Sequence, residues 1–224
     1  MSLFWMLSIV LSLDGCLMVA LALAHRSARL RDRRIFLGES RGVNDPKFVR
    51  RVAANSAFSG ALVFVLSYLG HPLLIHARAT SVTVMVLQGL AILGLYDVAY
   101  YFMHRYAFHQ WGSLKRVHAV HHAVRHPTAL DSLYLHPLEA FLGLALLLAC
   151  IAVVGPVNVV AFVGVFTVYS LLNIVIHCGL SLPVFPLRAA SYMARKHDAH
   201  HTRWGGGNFA SITPICDLLF GTAE

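Results

Sequence analysis

The stretch that settles the class of this chain is residues 140–176, AFLGLALLLACIAVVGPVNVVAFVGVFTVYSLLNIVI. It holds two apolar runs, 140–154 and 157–176, joined by Gly155-Pro156. A helix that crosses a bilayer needs about 20 apolar residues. The second run meets that length and the first is shorter. The pair therefore reads as a tight hairpin or as two tilted helices, and His177 follows directly.

Working outward, three more runs qualify as spans: 3–24, which contains Asp14; 52–75, interrupted by Gly70 and His71-Pro72; and 80–103. The first could pass for a secretory leader, because Ala20, Ala22 and Ala24 resemble a cleavage site. Its start, MSLFWML, carries no basic residue, so an uncleaved helix is expected. Composition agrees: the 224 residues are 58% hydrophobic and 12% charged, with a mean hydropathy of +0.66. Soluble domains carry about 25% charged residues. The expected fold is all-α, an integral membrane bundle of four to five transmembrane helices with a helical cap. We expect one membrane domain over 1–224, with the N-terminal spans and a basic loop in 1–96. The cysteines Cys16, Cys150, Cys178 and Cys216 form no C-x-x-C pair and read as small buried hydrophobes.

The net charge of +8 marks a membrane face rather than a nucleic-acid partner. Nine basic residues lie in 25–51: Arg26, Arg29, Arg31, Arg33, Arg34, Arg41, Lys47, Arg50 and Arg51. Placing that segment in the cytoplasm puts residues 104–139 and the tail after His177 on the same side. Arg78 alone of the 18 basic residues is left opposite. A bacterial inner membrane or an ER-type membrane is the expected location.

This topology gathers every cluster of histidines at one face. HAVHH supplies His118, His121 and His122; HDAHH supplies His197, His200 and His201; HRYAFH supplies His104 and His109. With histidine at 14 of 224 residues, chance predicts about 0.05 copies of H-x2-H-H, and the chain has two. Positions i, i+3 and i+4 share a helix face, so each box should aim its imidazoles one way. His104 and His109, five apart, would need a helix end or a π-bulge between them. Asp97, two turns before His104, is expected to accept a ligand histidine's second N–H. Eight imidazoles exceed the three or four protein ligands of one zinc ion, so two metals are the economical reading. Neutral imidazole suits iron, zinc and copper alike.

The series DVAYYFMHRYAFH, VHAVHH, LHPLE, NIVIHCGLSLP, KHDAHH and NFASITPICDLLFGT, running over 97–222, resembles the fatty acid hydroxylase and sterol desaturase superfamily of membrane non-haem di-iron oxygenases. The resemblance implies that His104, His109, His118, His121, His122, His197, His200 and His201 ligate two irons. It adds His177 to that set and brings in His136 of LHPLE. The family often pairs a second histidine with the one at His177, whereas Asn173 and Ser181 stand near it here. It further implies O2 as co-substrate, an external reductant delivered by a separate cytochrome or ferredoxin-type donor, and hydroxylation or desaturation of a lipid such as a fatty acyl chain or sterol.

Beside these stand plainer readings. Helix-end histidines can meet lipid headgroups, and His25, His71 and His76 read as interfacial. His126, before Pro127, reads as a solvated loop residue. Asp131, Glu139 and Asp198 are outer partners of a metal or surface acids. Trp204 to Asn208 reads as a turn returning the chain to the membrane, with Asn208 as a cap or an outer partner. A bis-histidine haem cytochrome and a metal transporter or metal-binding membrane protein without catalysis are the competing functions. Haem ligands usually lie deeper in the spans and transport sites near the midplane, where this chain offers little beyond Asp14.

Overall fold

The computed structural model describes residues 2–38, 45–181 and 187–224. Arg41 and the last residues of NIVIHCGLSLP fall outside them. Five helices are long and apolar enough to cross a membrane, the upper of the two numbers expected: α1 (Leu3–Arg26), α2 (Pro46–Leu74), α3 (Val82–Phe102), α5 (Pro137–Val154) and α6 (Val159–Ile176). Shorter helices follow the bundle's ends: α4 (Gly112–His118), α7 (Leu187–Thr202) and α8 (Ile215–Leu219).

Each span begins where local chemistry satisfies its free N–H groups. Ser2 accepts from Trp5 N, Ser81 from Val84 N, and Asn158 from Val160 N. Asp45 accepts from Lys47 N ahead of Pro46, so α2 starts six residues before the expected 52 and carries Lys47, Arg50 and Arg51 on its first turns. Gly155 ends α5 at φ 107°, a conformation that excludes ordinary side chains, and allows the sharp return into α6.

The core is apolar and central. Ile92 and Tyr96 of α3, Leu147 and Ile151 of α5, and Phe162 and Phe166 of α6 are buried together, with Leu7 and Val63 packed on from α1 and α2. The outer faces carry exposed Leu13, Tyr68, Leu73, Leu90 and Val153. An apolar exterior around a helical bundle is what a hydrocarbon surround requires. The chain is a multi-pass integral membrane protein.

The two ends of the bundle differ. At one, β1 (Ile75–His76) and β2 (Val157–Asn158) pair in parallel, and Asn158 donates to the carbonyl of Arg78 at 2.7 Å. These two-residue strands are the only named strands among the described residues. At the other end, the segment after α1 meets the segment after α6. Ile35 N donates to Gly179 O at 2.9 Å, and Ser181 N to Arg33 O at 2.7 Å. The histidine boxes and most of the basic residues stand at this second end, and Arg78 at the first.

Candidate metal centre

Nine buried histidines gather into two adjoining nests, one of His104, His109, His118, His122 and His200, the other of His121, His177, His197 and His201. Within each nest the ligand nitrogens all lie within 4.8 Å of one another.

The backbone explains the sorting. The last turns of the third span widen into a π-helix, Met103–Phe108. Its i to i+5 repeat places His104 and His109 on one face. In the first box, His118 ends α4, and His121 and His122 follow in a short 3-10 turn. The second box lies on α7. Each box divides its rings in the same manner. His118 and His122, four apart, enter the first nest, while His121 enters the second. His197 and His201, again four apart, enter the second nest, while His200 enters the first. The expectation that each box points one way is therefore corrected. The i, i+4 pair shares a target, and the third ring reaches the neighbouring one.

The nitrogens that meet are Nε2 throughout. In the first nest His104–His118, His104–His200, His122–His200 and His109–His200 are 3.0, 3.1, 3.1 and 3.2 Å apart. In the second, His121, His177, His197 and His201 close a four-cornered ring with sides of 3.1, 2.8, 3.1 and 3.1 Å. A square with sides of about 3 Å has its centre about 2.1 Å from each corner, the length of an imidazole–metal bond.

Five rings have their other nitrogen occupied. His104 Nδ1 is 2.7 Å from Phe209 O, His200 Nδ1 2.8 Å from Gly207 O, His177 Nδ1 2.6 Å from Asn173 O, and His201 Nδ1 2.7 Å from Val124 O. His118 Nδ1 is 2.9 Å from the Glu139 carboxylate. These oxygens accept and the rings donate, so the neutral tautomer leaves Nε2 with a bare lone pair. Burial pushes His177 and His200 down to about 4 and His109 to about 3, and lowers His118, His121, His122, His197 and His201 as well. Neighbouring histidines add to the depression for most of them. The set is thus a pair of neutral, donor-rich nests, the form in which imidazole binds a metal.

The surrounding polar groups differ from those expected. Asp97 accepts from no imidazole. Its carboxylate holds Ile212 N at 2.9 Å, Thr213 N at 3.2 Å and Thr213 Oγ1 at 2.5 Å. It fixes the loop whose Phe209 carbonyl receives His104, so it acts on the nest one step removed. Asp217, which the sequence reading passed over, does the same from the other side, accepting from Phe209 N and Ala210 N at 2.9 Å each and from Thr222 Oγ1 at 2.7 Å. Asp198 also accepts from no ligand-type ring; it faces His126 Nδ1 at 3.0 Å, and Phe36 stacks on that imidazole at 3.7 Å. His126 is accordingly half-buried, held by Phe36 and Asp198, rather than free in solvent. Asn208, at φ 62°, uses its backbone N on Thr222 O and its Oδ1 on Glu224 N, and meets no imidazole. His136 stands outside both nests and caps α5 by accepting from Leu138 N at 3.1 Å. The residue that meets a box ring is Glu139, three positions on in the same LHPLE motif. Only its place there could have singled it out from the other acids.

One cavity lies against the nests and a second adjoins it. The cavity against the nests, of about 60 Å³, is bounded by His104, His118, His121, His177 and His197 together with Tyr100, Glu139 and Tyr169. The second, of about 210 Å³, lies among the spans and shares part of that wall. On the outer side, Trp204 covers the first nest, its ring 4.7 Å from His122 and 5.2 Å from His109.

The chain is 33% identical over 129 residues to methylsterol monooxygenase 1 of Rattus norvegicus, covering 56% of this chain and 43% of that protein. It is 35% identical over 112 residues to a sphingolipid C4-hydroxylase of Schizosaccharomyces pombe (47% and 36%), and 30% over 149 residues to a very-long-chain aldehyde decarbonylase of Oryza sativa (62% and 46%). The chain spans less than half the length of these relatives. No solved structure matches it. The family model described as fatty acid hydroxylase matches residues 89–222, which contain all nine histidines of the two nests, and the chain belongs to that family.

Proposed function

We propose that the chain is a membrane-bound di-iron oxygenase that hydroxylates or desaturates a lipid. The observation that carries this reading is the pair of Nε2 nests, whose spacing of about 3 Å suits two ligands on one metal. Five nitrogens converge in the first nest and four in the second, and iron accepts imidazole readily. Two iron ions held there would supply the oxidation: with O2, two electrons from a separate donor protein and two protons, one oxygen atom would enter a C–H bond and the other leave as water, or two hydrogens would be removed and both oxygens leave as water.

The chain's own residues do the rest. His104, His109, His118, His122 and His200 would hold one ion, and His121, His177, His197 and His201 the other. Phe209 O, Gly207 O, Asn173 O, Val124 O and Glu139 hold the rings in the tautomer that binds. The cavity against the nests receives the reacting carbon, and its burial among Tyr100, Tyr169 and the rings keeps water out. A lipid reaches it from between the spans. The basic face is cytoplasmic by charge asymmetry, so the donor would dock there.

The relatives named as sterol and sphingolipid oxygenases support a lipid substrate. The decisive experiment is comparative lipid mass spectrometry of cells with and without the gene, grown under labelled O2. A product heavier by one labelled oxygen is expected, and it should vanish with His121→Ala while the protein still inserts and folds. Persistence of the product in that variant would refute the assignment.

A further inference from the structure

We propose that Asp14 is the point at which this protein recognises its lipid, by hydrogen bonding to a hydroxyl group that the lipid carries into the bilayer-embedded cavity. The inference rests on the lipid-oxygenase reading above and deepens it.

Asp14 is 6% exposed; the Ser170 hydroxyl approaches its carboxylate, yet Oδ1 has no hydrogen-bond partner of good geometry among the described residues. It stands eleven residues before His25 on α1, about 16 Å deeper along the helix. A polar group buried without a partner costs free energy. An acid within a span marks a ligand or ion path by default.

The space it faces is real. The cavity of about 210 Å³ has Asp14 as its one ionisable acid, with four serines (Ser56, Ser59, Ser132 and Ser170), Tyr169 and Asn173 among otherwise apolar walls. It exceeds the cavity of about 150 Å³ that admits benzene. Gly15 and Gly60 keep its α1 and α2 walls back: a Cβ built on either would meet nothing within 4 Å. The cavity shares Ser132, Leu135, Ala140, Tyr169 and Asn173 with the smaller cavity against the histidines. A chain lying through both would have one part at Asp14 and another at the metal centre.

The chemistry selects the ligand. Asp14 is the one acid in that lining, and no base accompanies it. Burying an ammonium beside a lone carboxylate removes two ions from water at high cost. A hydroxyl gives the unpartnered oxygen a donor without that cost, and the serines of the lining can join it. Asp14 also lies outside the matched residues 89–222. It therefore adds selectivity to the shared metal centre and is no part of it.

The test uses the full chain in phosphatidylcholine nanodiscs without iron, photolabelled by a diazirine-bearing octadecanol. Octadecanol, octadecane and octadecylamine are the competitors. Octadecanol should compete at least tenfold better than octadecane. Asp14→Leu should erase that difference, Asp14→Asn should keep most of it, and Gly60→Leu should abolish labelling by filling the space. Equal competition by alcohol and alkane, an unchanged preference in Asp14→Leu, or stronger competition by the amine would overturn the proposal. The two readings fail separately. If the chain holds no iron, the alcohol preference can still be found. If His121→Ala stops turnover while labelling stays selective, the metal centre alone is affected.

Discussion

Nε2 of His104 and Nε2 of His200 face each other at 3.1 Å, although both rings have already committed Nδ1–H to a backbone carbonyl, Phe209 O and Gly207 O. Two bare lone pairs at that distance repel. A cation between them turns the repulsion into ligation, which is why the nests read as metal sites and not as hydrogen-bonded histidines. Removing one ring from each nest should therefore separate the two ions. Purified protein is expected to hold about two irons per chain, and His104→Ala or His201→Ala about one, since each ring belongs to a different nest. His136→Ala, a cap outside both nests, should leave the metal content unchanged. Elemental analysis of the four proteins checks this. Equal iron in all of them would remove the two-nest assignment.

Glu139 ties α5 to the first box through His118 at 2.9 Å, and both side chains are nearly sealed from solvent. Loss of such an outer partner typically costs 10–100-fold in metal affinity or activity. Glu139→Ala should fall in that range by chelator competition. Glu139→Gln keeps an oxygen that accepts from Nδ1 and should lose less. The contrast between the two variants reads orientation apart from charge.

Gly207 is where the closing loop presses against the C-terminal strap. A Cβ there would run into the carbonyl of Thr222. Backbone must therefore shift, and with it the carbonyl that receives His200. Gly207→Ala is expected to lower both thermal stability and iron content. Gly94→Ala, in open space on α3, should cost nothing and gain up to about 1 kcal/mol from helix propensity. Thermal unfolding in detergent, with metal analysis of the same samples, compares them.

The spans were readable because a bilayer imposes length and apolarity on a continuous segment, and the boxes because their spacing is improbable. The division of each box between two nests was not readable. It depends on the 3-10 turn at His121–Ala123 and on the angle at which α7 arrives, both products of packing. The π-turn at Met103–Phe108 lay between, since the five-residue interval of His104 and His109 required some such device. Asp97 was drawn to the wrong partner because helix periodicity reports which face a side chain occupies. It does not report which distant loop is brought to that face, here Ile212–Thr213 from more than a hundred positions away. Asp217 carried no local signal, because its role exists only once the loop at Phe209 and Ala210 folds over it.

Asp131 gives the fold a pH dependence of its own, apart from the histidines. Its Oδ2 closes a capping box, accepting from Thr128 N and Thr128 Oγ1 at 2.7 Å each, while Oδ1 is buried without a partner. Burial raises this carboxyl from 3.8 to about 6, against the opposing pull of the Thr128 hydrogen bonds. An acid whose folded value is raised favours the fold while protonated in both states. That contribution is whole below pH 3.8, declines as the pH climbs towards 6, and is gone above it. Asp131→Asn reproduces the neutral carboxyl and keeps an oxygen for Thr128. It should match the parent protein near pH 4 and exceed it above pH 6, by up to about 3 kcal/mol, since one pKa unit is worth about 1.4 kcal/mol. Denaturation of metal-free protein across pH 4–7 measures the difference. A variant that is weaker than the parent at pH 7 would show that the ionised carboxylate, and not the neutral acid, holds the Thr128 turn.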